Sequence, residues 1–414
     1  MKFTQIKRLS AIPVKNGLGL SGSESDRSNP RYIRITDIDQ AGQLREDIYA
    51  SQPRSVIEDA WVEFGDVLIA SVGGTVGKSY LHRMDGEYCF AGYLSRIRPD
   101  REKLEPRFLH YWTQSKSYWD QVRTRLVSST IENLSASKIG TFQVPTHSLP
   151  MQNEISDYLD HETTEIDTLI SDFEEFRELL VKSRIARQNE AFSPYLTSGL
   201  ADLRGSVDER DDRIGTEARP EDLLSVSITD GVSRWVDKTD DLPKSDSLAK
   251  YKKVQPQDLV LNRMRAFQGG IGVSAWSGIT SPDYAVLRPS PGLLPEFAEL
   301  LIRSDKFVFE IKRRLRGIGN EASGQVRTPR VSVADLVRIP ATLPCLEIQR
   351  QVVSDWTRFA NELTAEDSDA QQAIELAQER RTALITAAVT GQIDVTKRRR
   401  PVAEQLEDEV LQDA

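Results

Sequence analysis

Hydrophobic positions along this chain follow two rhythms, and the pair of rhythms occurs twice. Short apolar runs come first: Tyr32-Ile33-Arg34-Ile35 and Val67-Leu68-Ile69-Ala70, then in the second half Leu259-Val260-Leu261 and Tyr284-Ala285-Val286-Leu287. Gly, Pro, Asp or Asn bounds each run, which predicts β-strands joined by turns. A short helix is expected after each set, over residues 106 to about 125 and 295 to about 316. The rhythm then lengthens. Ile155, Leu159, Ile166, Leu169, Phe173, Phe176 and Leu180 step by four and three, with Glu162 the one polar interruption. Asp160, Glu165, Asp172, Glu174, Glu175 and Arg177 fill the outward side, and no proline falls between 151 and 193 to break the helix before Pro194. Val352, Trp356, Phe359, Leu363, Ala370, Ile374, Ala377 and Leu384 repeat the pattern near the end of the chain. Each segment of about 40 residues spans ~60 Å as a helix.

The markers around these segments repeat as well. Leu149-Pro150 and then Gln152 open the first, and Leu343-Pro344 and then Gln349 open the second. The offset from Leu149 to Leu343 is 194 positions and from Thr197 to Thr390 it is 193. The chain therefore divides into a sheet-cored domain (1–149), a long helix (150–198), a second such domain (199–342), a second long helix (343–394) and a charged tail (395–414). The expected class is α+β: two similar globular domains separated by two long antiparallel coiled-coil helices, related by a pseudo-two-fold axis. Antiparallel packing follows from the order of elements, because the first helix ends at the second domain and the second helix has no further domain to reach. The expected seam sets Ile155, Leu159, Ile166, Leu169, Phe173 and Phe176 against Trp356, Phe359, Leu363, Ile374 and Ala377. The alternative is that each helix covers only its own domain.

Composition narrows the class. With 414 residues there is room for two to three domains, and 28% charged against 39% hydrophobic residues is ordinary for a globular chain. No run of 18 apolar residues occurs, so a membrane span is not expected. Cys89 and Cys345, one per half, give no disulfide framework and suit a reducing cytosol, so a cytoplasmic location is expected.

A net charge of −9 disfavours nucleic acid, yet binding depends on a local patch. The acidic residues gather at 401–414 and in 202–221, the latter resembling a charged linker of little apolar content. Between 312 and 330, Lys312, Arg313, Arg314, Arg316, Arg327 and Arg330 face Glu321 alone. Arg123, Arg125 and Lys138 stand at the corresponding place of the first half, around Ser128-Ser129-Thr130. Either patch alone reads equally well as a solvated helix face; their matching places in the repeat favour phosphate contacts. Lys78, at the end of a glycine loop, is a further candidate DNA contact. Arg263, Arg265, Gln268, Gln325 and Arg327, near the turns of the second half, have the side chains that read base edges. The basic run at 397–400 lies beside the acidic tail and reads as solvated.

Catalytic chemistry is not legible. Gly73-Gly74-Thr75-Val76-Gly77-Lys78-Ser79 resembles a phosphate-cradling loop, but that motif needs its first glycine at 72, where Val72 stands. The matching Gln268-Gly269-Gly270-Ile271-Gly272-Val273 has no lysine, so both loops read as strand-to-strand turns with backbone open to a close approach. His82, His110, His147 and His161 have no second ligand at metal spacing. No dinucleotide fingerprint, Gly-x-Ser-x-Gly elbow or His-Glu-x-x-His is present, and Asn29-Pro30 is followed by Arg31 rather than by the proline and aromatic of an adenine methyltransferase. No cofactor of the chain's own is expected.

The order of these motifs resembles the DNA-specificity subunit of type I restriction–modification systems over nearly the whole length. The residues that carry it are Tyr32-Ile33-Arg34-Ile35-Thr36-Asp37-Ile38-Asp39, Gly65-Asp66-Val67-Leu68-Ile69-Ala70 and Gly74-Thr75-Val76-Gly77-Lys78 in the first half. In the second they are Tyr251-Lys252-Lys253-Val254, Gln257-Asp258-Leu259-Val260-Leu261-Asn262, Gly270-Ile271-Gly272 and Ser281-Pro282-Asp283-Tyr284. Arg380-Arg381-Thr382-Ala383-Leu384-Ile385 and Ala388-Val389-Thr390-Gly391-Gln392-Ile393-Asp394 look like that family's distal helix, while Thr197-Ser198-Gly199-Leu200 departs from its usual Thr-Gly. The resemblance implies a non-catalytic subunit whose two target recognition domains each read half of a split, asymmetric double-stranded DNA target. It also implies partners: two methyltransferase subunits, which bring S-adenosylmethionine and methylate adenine, and an ATP-dependent restriction and translocation subunit. The runner-up is a coiled-coil scaffold for protein complexes with no DNA role.

Overall fold

The computed structural model describes residues 2–39, 42–127, 133–196, 201–219, 222–238, 248–315 and 330–396. Contacts divide the chain into two compact units, Met1–Phe173 with Gln371–Ala414, and Glu174–Ala370. The last part of the chain thus belongs with the first. Ile385, Ala388, Val389 and Val395 are buried in the same core as Ile6, Val67, Phe108 and Leu159.

In the first unit a four-stranded antiparallel sheet runs in the order Lys15–Asn16, Leu94–Ile97, Val67–Ala70, Ser79–Leu81. In the second, the order Val207–Arg210, Tyr284–Pro289, Leu259–Asn262, Ile271–Val273 reproduces it strand for strand. The central strands Val67–Ala70 and Leu259–Asn262 are buried at every position, which explains why they read as continuous apolar runs. The first unit adds a three-stranded sheet in which Arg31–Ile33 lies parallel to Tyr88–Phe90 and Trp61–Val62 antiparallel to it. The second adds a hairpin, Leu224–Ser227 with Gly231–Arg234, and a two-stranded antiparallel pair, Lys252–Val254 with Gly278–Thr280. The class is therefore mixed helix and sheet, with two sheet-rich domains and two long helices.

Each central strand starts on one device. Asp66 accepts two 2.8 Å hydrogen bonds from Arg98 and one from the Glu63 N–H. Asp258 accepts the same set from Arg288, at 2.8 and 2.9 Å, and from the Gln255 N–H. The residue before each Asp is left-handed, Gly65 at φ 93° and Gln257 at φ 73°. Glycine takes that conformation freely, while Gln257 is strained in it.

The segments expected as single short helices are each broken in two. Pro106–Trp112 is followed by Lys116–Val127, and Pro295–Arg303 by Asp305–Arg313. A buried serine makes each break, Ser115 Oγ donating to Trp112 O and Ser304 Oγ to Leu301 O, both at 2.6 Å. The end of a long helix then supplies the N-terminal acceptor. Thr386 Oγ1 receives the Lys116 N–H in the first unit, and Asn189 Oδ1 receives the Asp305 N–H in the second, both at 2.9 Å.

The stretch 202–221 is not a linker. Leu203 is buried in the second unit's core, and Val207–Arg210 forms the edge strand of its main sheet. Four residues of low hydropathy suffice there, because an edge strand buries one face at most.

Leu149–Phe192 and Leu346–Val389 are helices of 44 residues each. Ser193–Tyr195 ends the first as a 3-10 turn at Pro194. The second ends at Gly391, φ 65°, whose N–H goes to Ala388 O while the Gln392 N–H goes to Ala387 O. This is a left-handed glycine cap, the physical reason for glycine in Thr390-Gly391. The central copy of that motif, Thr197 to Leu200, lies outside the described residues.

Inside each unit the two helices run antiparallel. In the first, Arg381 pairs with Asp167 at 2.8 Å, and Ile155 and Leu159 share a core with Ile385, Ala388 and Val389. In the second, Arg177 pairs with Asp367 at 2.7 Å, Arg187 lies over the Phe359 ring, and Phe192 shares a core with Val352 and Val353. On the first helix the seam uses other positions than expected. Leu169 and Phe176, expected within it, are 46% and 40% exposed. The covered side instead passes through Ile155, Leu159, Thr163, Ile166, Ile170, Phe173, Arg177 and Leu180. From Leu159 on these positions still step by four and three, so the seam remains a heptad stripe in which 163, 170 and 177 stand where 162, 169 and 176 were expected. On the second helix Trp356, Ile374 and Ala377 are buried and Phe359 and Leu363 half-buried, as their spacing requires.

Candidate nucleic-acid interface

A buried glutamine joins each long helix to the domain before it. Gln152 Oε1 accepts the Glu105 N–H at 2.9 Å, and its Nε2 donates to Lys103 O and His147 O at 3.0 Å each. Gln349 Oε1 accepts the Leu294 N–H at 2.8 Å, and its Nε2 donates to Gly292 O at 2.9 Å and Pro344 O at 2.8 Å. These are the two glutamines that mark the repeat in the sequence. In each unit one amide ties the loop before the first short helix to the start of the long helix.

In the first unit this junction also carries charge. Arg107 pairs with Asp157 and Asp160, and the Tyr111 hydroxyl donates to Asp160 at 2.5 Å. Burial, and then the cations of Arg83 and Arg381, hold the nearby His110 imidazole below its ordinary pKa. A cleft of about 460 Å³ beside the junction is lined by Phe64, Leu81, Arg83, Arg101, Pro106 and Leu149. Arg101 is spent inside the unit, donating to Phe64 O at 2.5 Å. Among the described residues no group of His, Cys, Asp or Glu has the geometry to hold a metal ion.

The residues expected at phosphates are mostly paired with acids. Arg123 is exposed on Lys116–Val127 and bonds Asp120 at 2.6 Å; that contact, with a second from Lys116, holds the Asp120 carboxyl below its ordinary range. Arg125 lies on the Phe142 ring, 4.4 Å from its centre, and donates to Gln121 O at 3.2 Å; burial lowers its pKa. Lys138 Nζ donates to Asn133 O at 3.3 Å. Arg313 and Arg314 both bond Glu310, whose carboxyl is held low by Arg314 first. Arg330 pairs with Asp283 at 3.1 Å. Counting charge along 312–330 missed Glu310, two residues upstream, and Asp283, brought in by the sheet. Arg316, Gln325 and Arg327 lie outside the described residues, as do the basic run 397–400 and the tail 401–414.

The expected base readers differ among themselves. Arg263 is bound to Glu209 from the edge strand. Arg265 precedes and Gln268 ends the 3-10 turn Ala266–Gln268, both exposed, with no side-chain hydrogen bond to another described residue. Arg265 lies near enough to Tyr284 to oppose the upward shift that burial gives that phenol. Gly269, φ 85°, closes the turn in a left-handed conformation. In the first unit the corresponding loop runs from Ala70 to Lys78, with Val76 N–H to Gly73 O and Gly77 N–H to Ala70 O. It is the tight strand-to-strand turn expected from its glycines, and it exposes Lys78 at its end.

The two sheet ends share one backbone bond from a later segment. Ser71 O accepts the Leu134 N–H in the first unit, and Arg263 O the Val331 N–H in the second. Tyr93, not among the sequence candidates, also stands at this end, its O accepting the Ser71 N–H at 2.8 Å. Its position just before a central strand, across from the glycine loop, was the available signal.

No protein-family model and no curated protein matches the chain. Solved structures do. A chain from a structure of the type I R-M system, solved for its complex assembly and conformational transition, superposes with a TM-score of 0.64 at 14% identity, covering 95% of this chain and 98% of that one. The HsdS subunit from Thermoanaerobacter tengcongensis gives a TM-score of 0.53 at 16% identity, covering 95% and 97%. The chain has the fold of these proteins along almost its whole length.

Proposed function

We propose that this chain is the DNA sequence-specificity subunit of a type I restriction–modification complex. The observation that carries this is the shared fold over 95% of the chain, in which a sheet-cored domain followed by a long helix occurs twice. Each domain reads one half of a split target, and the long helices serve as docking surface for two methyltransferase subunits. Those subunits supply S-adenosylmethionine and adenine methylation, and an ATP-dependent restriction subunit joins them; the chain itself does no chemistry and acts in the cytoplasm. The corresponding sheet ends differ in chemistry, with Arg265 and Gln268 in the second unit and Lys78 with open glycines in the first, which suits an asymmetric target. No helix of the described residues is long and apolar enough to cross a membrane.

Among the described residues, Asp120, Glu310 and Asp283 pair with Arg123, Arg313, Arg314 and Arg330, and the isolated chain binds DNA weakly. The test is DNA binding by the chain co-purified with its methyltransferase partner, measured against salt. The expected affinity falls steeply, with a log–log slope of about −0.9 per phosphate neutralised. A complex that forms and shows no salt-dependent DNA binding overturns the proposal in favour of a protein scaffold.

A further inference from the structure

We infer that Tyr93 determines specificity in the first unit, its ring packing against the apolar edge of a base in the target duplex; this rests on the DNA-reading proposal above. Tyr93 is 66% exposed, more than any other large hydrophobic side chain among the described residues. Its backbone is nevertheless fixed. Tyr93 O accepts the Ser71 N–H at 2.8 Å, and the Gly92 N–H goes to Leu18 O at 2.7 Å. The ring therefore stands in water on a rigid strand end, which is where a preorganised contact belongs.

Its surroundings specify the partner. Ala70 and Leu94 are cross-strand neighbours, so Tyr93 leaves the sheet at the end where the glycine loop begins. A Cβ added at Gly73 or Gly74 would meet nothing within 4 Å, so the backbone there is open to a close approach by a phosphate strand. Lys78 closes the same loop, and Leu20, 45% exposed, lies two residues beyond Leu18. Lys78, a flexible point charge, suits a phosphate, while the Tyr93 ring offers a base edge an apolar face. The major-groove feature that it recognises is the thymine methyl group. The second unit has Arg265 and Gln268 at the corresponding end, where Asn262 and Tyr284 are cross-strand neighbours. The two units thus present an apolar reader and polar readers at one place in the fold.

The test is half-site selection from randomised duplexes by the complex of this chain with its methyltransferase partner, using wild type, Tyr93→Phe and Tyr93→Ala. Tyr93→Ala is expected to relax one A·T position of one half-site by roughly tenfold, while Tyr93→Phe keeps the preference. Replacing the thymine at that position by deoxyuridine then weakens wild type and leaves Tyr93→Ala unaffected. The inference is overturned if Tyr93→Ala keeps every preference, weakens all sequences alike, or if Tyr93→Phe loses as much as Tyr93→Ala. Wild-type complex that fails to bind DNA at all overturns the proposed function itself, a result distinct from binding that ignores Tyr93.

Discussion

Gln349→Ala removes the amide that joins the second unit's domain to its long helix. Gln349 is fully buried and makes three hydrogen bonds of 2.8 to 2.9 Å, so truncation leaves the Leu294 N–H, Gly292 O and Pro344 O without their partner. A buried polar group left unsatisfied costs about 1–3 kcal/mol, and the vacated space is polar enough to admit a water that recovers part of it. Three groups at the low end give about 3 kcal/mol, or a fall in melting temperature of ~6–12 °C for a unit of this size. Urea unfolding of the full chain, followed by tryptophan fluorescence, measures it. Gln349→Glu sharpens the test: it keeps an acceptor for Leu294 but turns a carboxylate towards two carbonyls, and is expected to destabilise at least as much. A Gln349→Ala chain within about 0.5 kcal/mol of wild type, or a Gln349→Glu chain as stable as wild type, refutes the argument that this amide holds the junction.

Other consequences are as direct. Leu159→Ala, at a fully buried seam position, should cost about 2–5 kcal/mol, whereas Leu169→Ala should stay within about 0.5 kcal/mol because its side chain faces water; chemical denaturation compares them. Asp258→Ala leaves Arg288 and the Gln255 N–H without their acceptor and should cost about 2 kcal/mol by the same measurement, since Arg288 is partly exposed and regains some hydration. The hydrogen bond from Arg177 holds the Asp367 carboxyl below its ordinary range. Its stabilisation is therefore present above the unfolded pKa of about 3.9 and is lost as pH falls through the folded value. Wild type should exceed Asp367→Asn by less than about 1 kcal/mol at neutral pH, and the gap should close below about pH 4 in an acid titration of stability.

Much of this molecule is legible in its sequence, for reasons that particular residues make clear. Val67-Leu68-Ile69-Ala70 and Leu259-Val260-Leu261 are buried on both faces, so their composition alone marks them as central strands. Gln152 and Gln349 could be seen as markers of the repeat, while most of their hydrogen bonds could not, because two of the three partners of each come from loops about 50 residues upstream. The breaks at Ser115 and Ser304 were hidden for a related reason: the acceptors that start the next helix are Thr386 and Asn189, distant in sequence. Leu169 and Phe176 misled because a step of three or of four after Ile166 and Phe173 fits a heptad equally well, and the covered residues are Ile170 and Arg177. The acidic partners of these cations were not legible, because linear counting cannot place Glu209 beside Arg263 or Asp283 beside Arg330.

The central claim is that the two units read DNA independently, and methylation-site sequencing tests it most directly. The chain, expressed with its methyltransferase partner, is expected to direct adenine methylation to a single bipartite motif with two unlike halves. Arg265→Ala, at an exposed turn of the second unit, should relax one base position by about 1–3 kcal/mol in one half of that motif and leave the other half intact. Methylation at a contiguous, undivided site, or relaxation of both halves together, would contradict the account.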